Sequence, residues 1–566
     1  MRSISVCCTR PPVKVNDRKL FRKETYTMEN KISFRRFGTM LDCSRNAVMQ
    51  VESVKKWIDL TTGMGYNTLL LYTEDTYEVD GNPYFGYMRG RYTQEELKEL
   101  DHYAAEKGME LIPCIQTLAH LNAIVRWPAY RPHVDTNDIL LAGDEKVYEL
   151  IDSMFASISK CFTSRVINIG MDEAHMIGRG KYYDLHGDSD RSQILIDHVK
   201  KVSDIGRKYG FTLTMWSDMF FRLAVGDYYR ADASINENIK MQIPDNVQLI
   251  YWDYYSTDKA RYDQMITANK KIRDDIWFAG GLWTWTGFAP HNGYSMEAAK
   301  AALQSCMEHK VQDVFLTMWG DNGGECSKYA LLPALYYASE FAKGNTDTED
   351  IKHGFKEMFG VSFDDFMLLD LPGTPGVAAD RICNAEKYLF YNDCFTGLLD
   401  STLAGGENGQ YAACAKELAP FEKQEEWGYL FATQKALCKV LSIKAELGQK
   451  TRQVYEAGQK EKLPELIGDY RMLLEKLEEF YRVYKRQWFA ENKPHGFDVQ
   501  DIRLGGLMMR VKSCMERLQE FYEGNISTIA ELEEKQLDFQ GDEEVFRKEP
   551  IRYNNWGGSV TTNIIS

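Results

Sequence analysis

Residues Val166 to Gly180, VINIGMDEAHMIGRG, carry an apolar, β-branched run into two adjacent carboxylates, Asp172 and Glu173. Carboxyl groups so placed suit acid and base work, because a charged neighbour raises the proton affinity of the other member of the pair. Glycosidic bond cleavage needs such chemistry, yet an ordinary retaining pair stands about 5 to 5.5 Å apart and flanks the bond from two sides. Adjacent residues divide the work differently: Glu173 reaches the leaving oxygen as general acid, while Asp172 points to another substituent of the same sugar. A 2-acetamido group fits. Its carbonyl oxygen attacks the anomeric carbon from within the substrate, so the protein need only orient it and stabilise the developing oxazolinium.

A buried strand has no ordinary use for adjacent charges, so the pair is expected at the C-terminal end of a strand. Similar runs bounded by turn residues recur along the chain: TMLDCS near 39, TLLLYTE near 68, ELIPCIQ near 110, VINIGMDE near 166, TLTMWSDM near 212, VQLIYWDYY near 247, IWFAGGLWTW near 276 and VFLTMWGDN near 314. Helix-like segments lie between them. Val51 to Thr62 has its apolar residues at helical spacing, and Thr93 with Glu96 three residues on has the form of a capping box. Eight strand–helix units predict parallel strands closed into a (β/α)8 TIM barrel of the α/β class, over residues 38–345. Barrel sites are built where the strands end. Here those ends carry Asp42 and Arg45, Glu74 and Asp75, Gln116, Asp172 and Glu173, Trp216 and Asp218, Trp252 and Tyr254, Trp283 and Trp285, and Trp319 and Asp321. Aromatic faces beside charged groups suit carbohydrate.

Beyond the barrel, Leu466, Tyr470, Leu473, Leu477, Phe480, Tyr484 and Trp488 repeat at steps of three and four residues, an amphipathic helix whose aromatic stripe reads as packing. Segments around 411–447 and 504–536 look similar, and the turn-rich ENKPHGFD breaks the series. An α-helical C-terminal domain over 346–545 and a tail over 546–566 are expected. Residues 1–37, with Arg18, Lys19, Arg22, Lys23, Arg35 and Arg36, read as a basic arm or the remnant of a preceding segment.

The formal charge of -15 over 566 residues argues against nucleic acid as partner. No apolar run is long enough to span a membrane, and the first twenty residues lack the apolar core of a secretory signal. The twelve cysteines are scattered, with only Cys7 and Cys8 adjacent, and His175 and His186 are too far apart for a one-face helical pair. Reduced thiols, a cytoplasmic location and no metal are therefore expected. A homo-oligomer is left open.

At these residues the chain resembles glycoside hydrolase family 20, the exo-acting β-N-acetylhexosaminidases, and more closely its bacterial members with a helical C-terminal domain. IGMDEAH is similar to the family's Asp-Glu motif, with Gly170–Met171 where two glycines are usual. GTMLDCSRNA resembles its first-strand motif, which implies that Arg45 holds sugar hydroxyls. TLAHLNA implies a role for His120 behind the acid, and LYTEDT a supporting role for Glu74 or Asp75. YWDYY implies that Tyr254 donates to the acetamido oxygen, with Tyr251 or Tyr255 in its place if the strand is bulged. MWGDNGG and MWSDMF imply Trp319 and Trp216 as walls and Asp321 as a ligand of the outer hydroxyls. Trp252, Trp283 and Trp285 are further substrate-binding candidates.

The expected activity is that of a retaining, substrate-assisted exo-β-N-acetylhexosaminidase. Asp172, Glu173 and Tyr254 are its catalytic residues, terminal β-GlcNAc or β-GalNAc glycans its substrates, and it uses no cofactor. Two alternatives stand beside it: a conventional retaining glycosidase with Asp218 or Glu325 as nucleophile, and a silent carbohydrate-binding barrel.

Overall fold

The computed structural model describes residues 32–375, 384–541 and 560–563. The basic residues from Arg18 to Lys23, Cys7 and Cys8, and most of the expected tail lie outside the described residues. Arg35 and Arg36 do not extend as an arm. Arg36 opens the first strand, and both guanidinium groups pair with Asp313 at the start of the last.

Eight parallel strands close into a barrel: β1 (Arg36–Asp42), β2 (Thr68–Glu74), β3 (Glu110–Ile115), β4 (Val166–Asn168), β5 (Thr212–Trp216), β6 (Val247–Trp252), β7 (Trp277–Gly281) and β8 (Asp313–Met318). Each neighbour in sequence is a neighbour in space, and β8 returns to β1 with Arg36 opposite Asp313. The strands are almost wholly buried, as parallel strands covered on both faces must be, and this is why they read as continuous apolar runs rather than alternating ones. A two-stranded hairpin, Val134–Thr136 with Ile139–Leu140, decorates the loop after β3.

The helices after the strands are α1 (Val51–Met64), α2 (Gln94–Glu106), α3 (Glu145–Ser159), α4 (Arg191–Lys208), α5 (Asp218–Val225), α6 (Lys259–Lys270), α7 (Asn292–Glu308) and α8 (Leu332–Ala342). The capping box at α2 forms: the Thr93 hydroxyl accepts from the Glu96 backbone N–H at 3.1 Å, and the Glu96 carboxylate accepts from the Thr93 N–H at 2.8 Å. α1 runs past the expected Thr62 to Met64 and stops at Gly65, whose left-handed backbone lets its N–H close the last turn.

From Thr348 the regular elements among the described residues are all helices, including α9 (Ala385–Tyr391), α10 (Gly428–Lys444), α11 (Leu463–Glu491) and α12 (Phe497–Glu523). The expected stripe on α11, from Leu466 to Trp488, is buried at every position. Phe288, from the loop after β7, meets Phe390 at 5.4 Å, Phe480 at 5.5 Å and Tyr484 at 5.7 Å, so these aromatics weld the helices to the barrel.

Candidate active site

Adjacent residues of an extended strand face opposite ways, yet Asp172 and Glu173 line one cavity. The reason is that they are not in a strand: β4 ends at Asn168, earlier than expected. The following turn holds Gly170, Met171 and Glu173 at φ of 71°, 69° and 52°. The family's usual second glycine would enter this left-handed region freely, whereas Met171 enters it at a cost of about 1 kcal/mol or more and offsets that with a fully buried side chain. Glu74 and His120 are also left-handed, at φ of 43° and 56°. Strained backbone thus recurs where strands β2, β3 and β4 hand over to the cavity.

His120 Nε2 stands 3.2 Å from Asp172 and 3.6 Å from Glu173. Gln116, just past β3, donates its amide to Asp172 Oδ1 at 2.7 Å and accepts the Met171 N–H at 3.1 Å, locking the turn and the carboxylate together. Burial pushes Asp172 upward, but the nearby charge of His120, with the Gln116 hydrogen bond beside it, outweighs this and holds the carboxyl below its ordinary range. Burial lowers His120 in turn, and Asp172 more than reverses this, leaving the imidazole protonated up to about pH 9. Glu173 is raised, by burial and then by the Asp172 charge. The two adjacent carboxyls are thus pushed in opposite directions, Asp172 toward the anion and Glu173 toward holding its proton. Their exposure divides the same way, with 11% for the Asp172 side chain and 42% for Glu173, so Glu173 is the one a leaving group can reach.

On the β1 and β8 side, Arg45 pairs with Asp42 at 2.9 Å, with Asp321 at 3.4 Å and with Glu74 at 3.5 Å. Its guanidinium lies 4.8 Å from the centre of the Trp319 ring. Burial would lift Asp42, but Arg45 and then Lys328 hold it down to about 2. Lys328 also donates to the Trp319 carbonyl at 2.7 Å, tying the β8 loop down. Glu74 accepts from Tyr72, itself bonded to Gln116, and burial raises it to about 7 against the pull of Arg45. Asp75 turns away to Arg89, 3.1 Å distant. Of the two acids at the end of β2, only Glu74 meets Arg45.

The aromatic wall divides into two layers. Trp216, Trp252, Tyr254, Tyr255 and Trp319 line the cavity, together with Arg45, His120, Asp172, Glu173 and Asp321. Trp283 and Trp285 stack on each other at 4.2 Å and stand behind Tyr254 instead of on the cavity surface. The Trp283 indole donates to the Tyr254 carbonyl at 2.9 Å. The Tyr254 ring lies so close over Gly281, at the end of β7, that a Cβ there would sit 2.8 Å from it.

Both carboxylates considered as alternative nucleophiles are committed elsewhere. Asp218 is fully buried, accepts the Glu173 N–H at 3.0 Å, and is raised to about 7 by burial and by Asp172. Glu325 is spent in ion pairs to Lys387 at 2.7 Å and Arg503 at 2.9 Å. Sequence reasoning gave no role to Gln116 or Tyr72. Their signal was position alone: Gln116 lies just past the end of β3, and Tyr72 two residues before Glu74 at the end of β2.

Residues 33–270 match the model of the glycosyl hydrolase family 20 catalytic domain, and residues 364–549 that of the glycoside hydrolase 20C C-terminal domain. The chain belongs to glycoside hydrolase family 20. The catalytic match stops before β7 and β8, so the family 20 resemblance of Trp319 and Asp321 rests on their motif and their place beside Arg45. Hexosaminidase D of Bos taurus is 22% identical over 239 residues, covering 41% of this chain and 64% of that protein, less than two thirds of its length. Hexosaminidase D of Homo sapiens is 21% identical over 341 residues, covering 56% of this chain and 68% of that protein. Among solved structures, the family 20 exo-β-N-acetylglucosaminidase of Vibrio harveyi in complex with N-acetylglucosamine is similar, with 16% identity, a TM-score of 0.44 and 58% of each chain covered.

Proposed function

We propose that this family 20 chain is a retaining exo-β-N-acetylhexosaminidase that removes terminal β-linked GlcNAc or GalNAc with the help of the substrate's own acetamido group. The observation that carries the reading is the unequal pair: Asp172, whose carboxyl His120 and Gln116 hold below its ordinary range, beside a partly exposed Glu173 whose proton affinity burial and the Asp172 charge raise. In the first step the acetamido oxygen attacks the anomeric carbon as Glu173 gives its proton to the departing oxygen. Asp172 accepts from the acetamido N–H and stabilises the oxazolinium, and the Tyr254 hydroxyl donates to the acetamido oxygen. In the second step Glu173 takes a proton from water, which opens the ring from the same face and returns the β-anomer. Arg45 and Asp321 bind the outer hydroxyls, with Trp216, Trp252 and Trp319 as walls and Glu74 supporting Arg45. The names of the relatives, hexosaminidases, support this reading. A cytoplasmic location belongs to the same proposal, supported by nine buried free thiols among the described residues.

The test compares aryl β-GlcNAc, β-GalNAc and β-glucoside as substrates of wild type, Asp172→Asn and Glu173→Gln, with an oxazoline-mimicking thiazoline as inhibitor. We expect turnover of the acetamido sugars only and thiazoline inhibition. Glu173→Gln should lower kcat/KM by about 10²–10⁴ for poor leaving groups. Equal cleavage of the plain glucoside would refute substrate assistance.

A further inference from the structure

Two loops carry the residues proposed to bind the outer hydroxyls, Arg45 after β1 and Asp321 after β8. Both are gripped by a single corner of the helical region, the turn between α11 and α12. On the β8 loop, Arg503 of α12 forks onto Asn322, next to Asp321, donating to its carbonyl and to its side-chain oxygen at 2.7 Å each. The same guanidinium pairs with Glu325 at 2.9 Å, which Lys387 of α9 holds from the other side at 2.7 Å. Gln500 donates to the Gly323 carbonyl at 3.2 Å. The fit leaves no slack. Asn322 is left-handed at φ 54°, Gly323 has φ 125°, and a Cβ on Gly323 would lie 2.6 Å from Arg503.

On the β1 loop, the residues just after Arg45 are tied to the other half of the corner. Gln50 N–H donates to the Glu491 carbonyl at 2.9 Å, and Lys493 N–H donates to the Val48 carbonyl at 2.7 Å. Met49 and Asn492 form an isolated β-bridge. The grip is therefore main chain to main chain, which fixes the loop's path whatever its side chains do. Between the two anchored loops Arg45 and Asp321 meet at 3.4 Å.

We infer that the α11–α12 corner is a positioning element of the active site, with Arg503 setting the place of Asp321, and the 491–493 turn that of Arg45, for recognition of the sugar's outer hydroxyls. This rests on the functional reading above and extends it: the helical domain contributes to substrate specificity without touching substrate. A displacement of Asp321 by a fraction of an ångström loosens hydroxyl binding, while the acid and the acetamido ligand, on the loops after β4 and β6, stay in place. The signature is thus a rise in KM with little change in kcat.

The experiment uses the full chain with Arg503→Ala, Arg503→Lys, Asp321→Ala and the Arg503→Ala/Asp321→Ala double variant. Each is assayed on aryl β-GlcNAc and on its 4-deoxy and 6-deoxy forms, alongside thermal unfolding. Arg503→Ala should raise KM about tenfold and leave kcat within about threefold. It should also narrow the gap between the parent sugar and whichever deoxy sugar Asp321→Ala treats as equal to it. In the double variant the two effects should not add, because both act through one contact. Arg503→Lys keeps a cation beside Glu325 but cannot fork onto both Asn322 oxygens, so it should fold normally and reproduce the KM rise. Wild-type constants in the Lys variant, additive effects in the double variant, or loss of folding in both Arg503 variants would each overturn the inference. An inactive wild type would instead refute the functional reading itself, so the two failures are distinguishable.

Discussion

With Nε2 at 3.2 Å from Asp172 and 3.6 Å from Glu173, His120 is shared between two carboxyls that the proposed mechanism uses in opposite protonation states. Its positive charge favours the anion on both, but the tighter contact goes to Asp172, and Glu173 is left with burial and a negative neighbour. In the proposed mechanism the first step needs the acid form of Glu173, so activity should be present below its folded pKa and lost as pH rises through it. Removing the Asp172 charge lowers that pKa. Asp172→Asn should therefore move the alkaline limb of the kcat/KM profile to lower pH, besides reducing its height. A limb that stays put or moves to higher pH would mean that another group sets it.

The turn between β4 and the acid pair is the element on which this arrangement depends. Met171 is left-handed and fully buried. Replacing it by glycine would relieve about 1–3 kcal/mol of backbone strain, but would remove a buried side chain whose truncation costs about 2–5 kcal/mol. The second effect wins. Met171→Gly should lower the thermal midpoint while the folded fraction keeps its activity, because Gln116 still anchors the turn through the 171 backbone N–H. A more stable Gly variant would show that left-handed strain outweighs the packing of the Met171 side chain. The same elements explain why Tyr254 reaches the cavity while Trp283 and Trp285 do not: β7 ends at Gly281, over which Tyr254 packs, and the chain then carries both indoles behind that ring.

At the scale of the whole molecule, the barrel and the helical region share one hydrophobic core that includes Phe288, Phe480 and Tyr484. A barrel cut after residue 345 would expose the barrel-side Phe288 and free the loops after β1 and β8. We expect it to be insoluble or molten, and inactive even when refolded, as read by near-ultraviolet circular dichroism and aryl β-GlcNAc hydrolysis. A cooperatively folding, active fragment would show that the helices are dispensable. This sets the helical region apart from an appended module, which would leave its neighbour intact on removal.

The eight strands and the α11 stripe were legible in the sequence because hydrophobic periodicity is local, and parallel strands buried on both faces announce themselves as unbroken apolar runs. The acid pair, Arg45, His120 and Asp321 were legible as motifs at strand ends. Tertiary structure alone decided which neighbours serve. Glu74 meets Arg45 while Asp75 turns to Arg89, Asp218 supports the Glu173 backbone, and Glu325 is consumed by Lys387 and Arg503. The sequence also could not reveal that α12 holds the β8 loop, for Arg503 lies 178 positions from Glu325. Composition and spacing fix which local conformations are cheap; which distant charge completes a buried pair depends on how the chain closes in space.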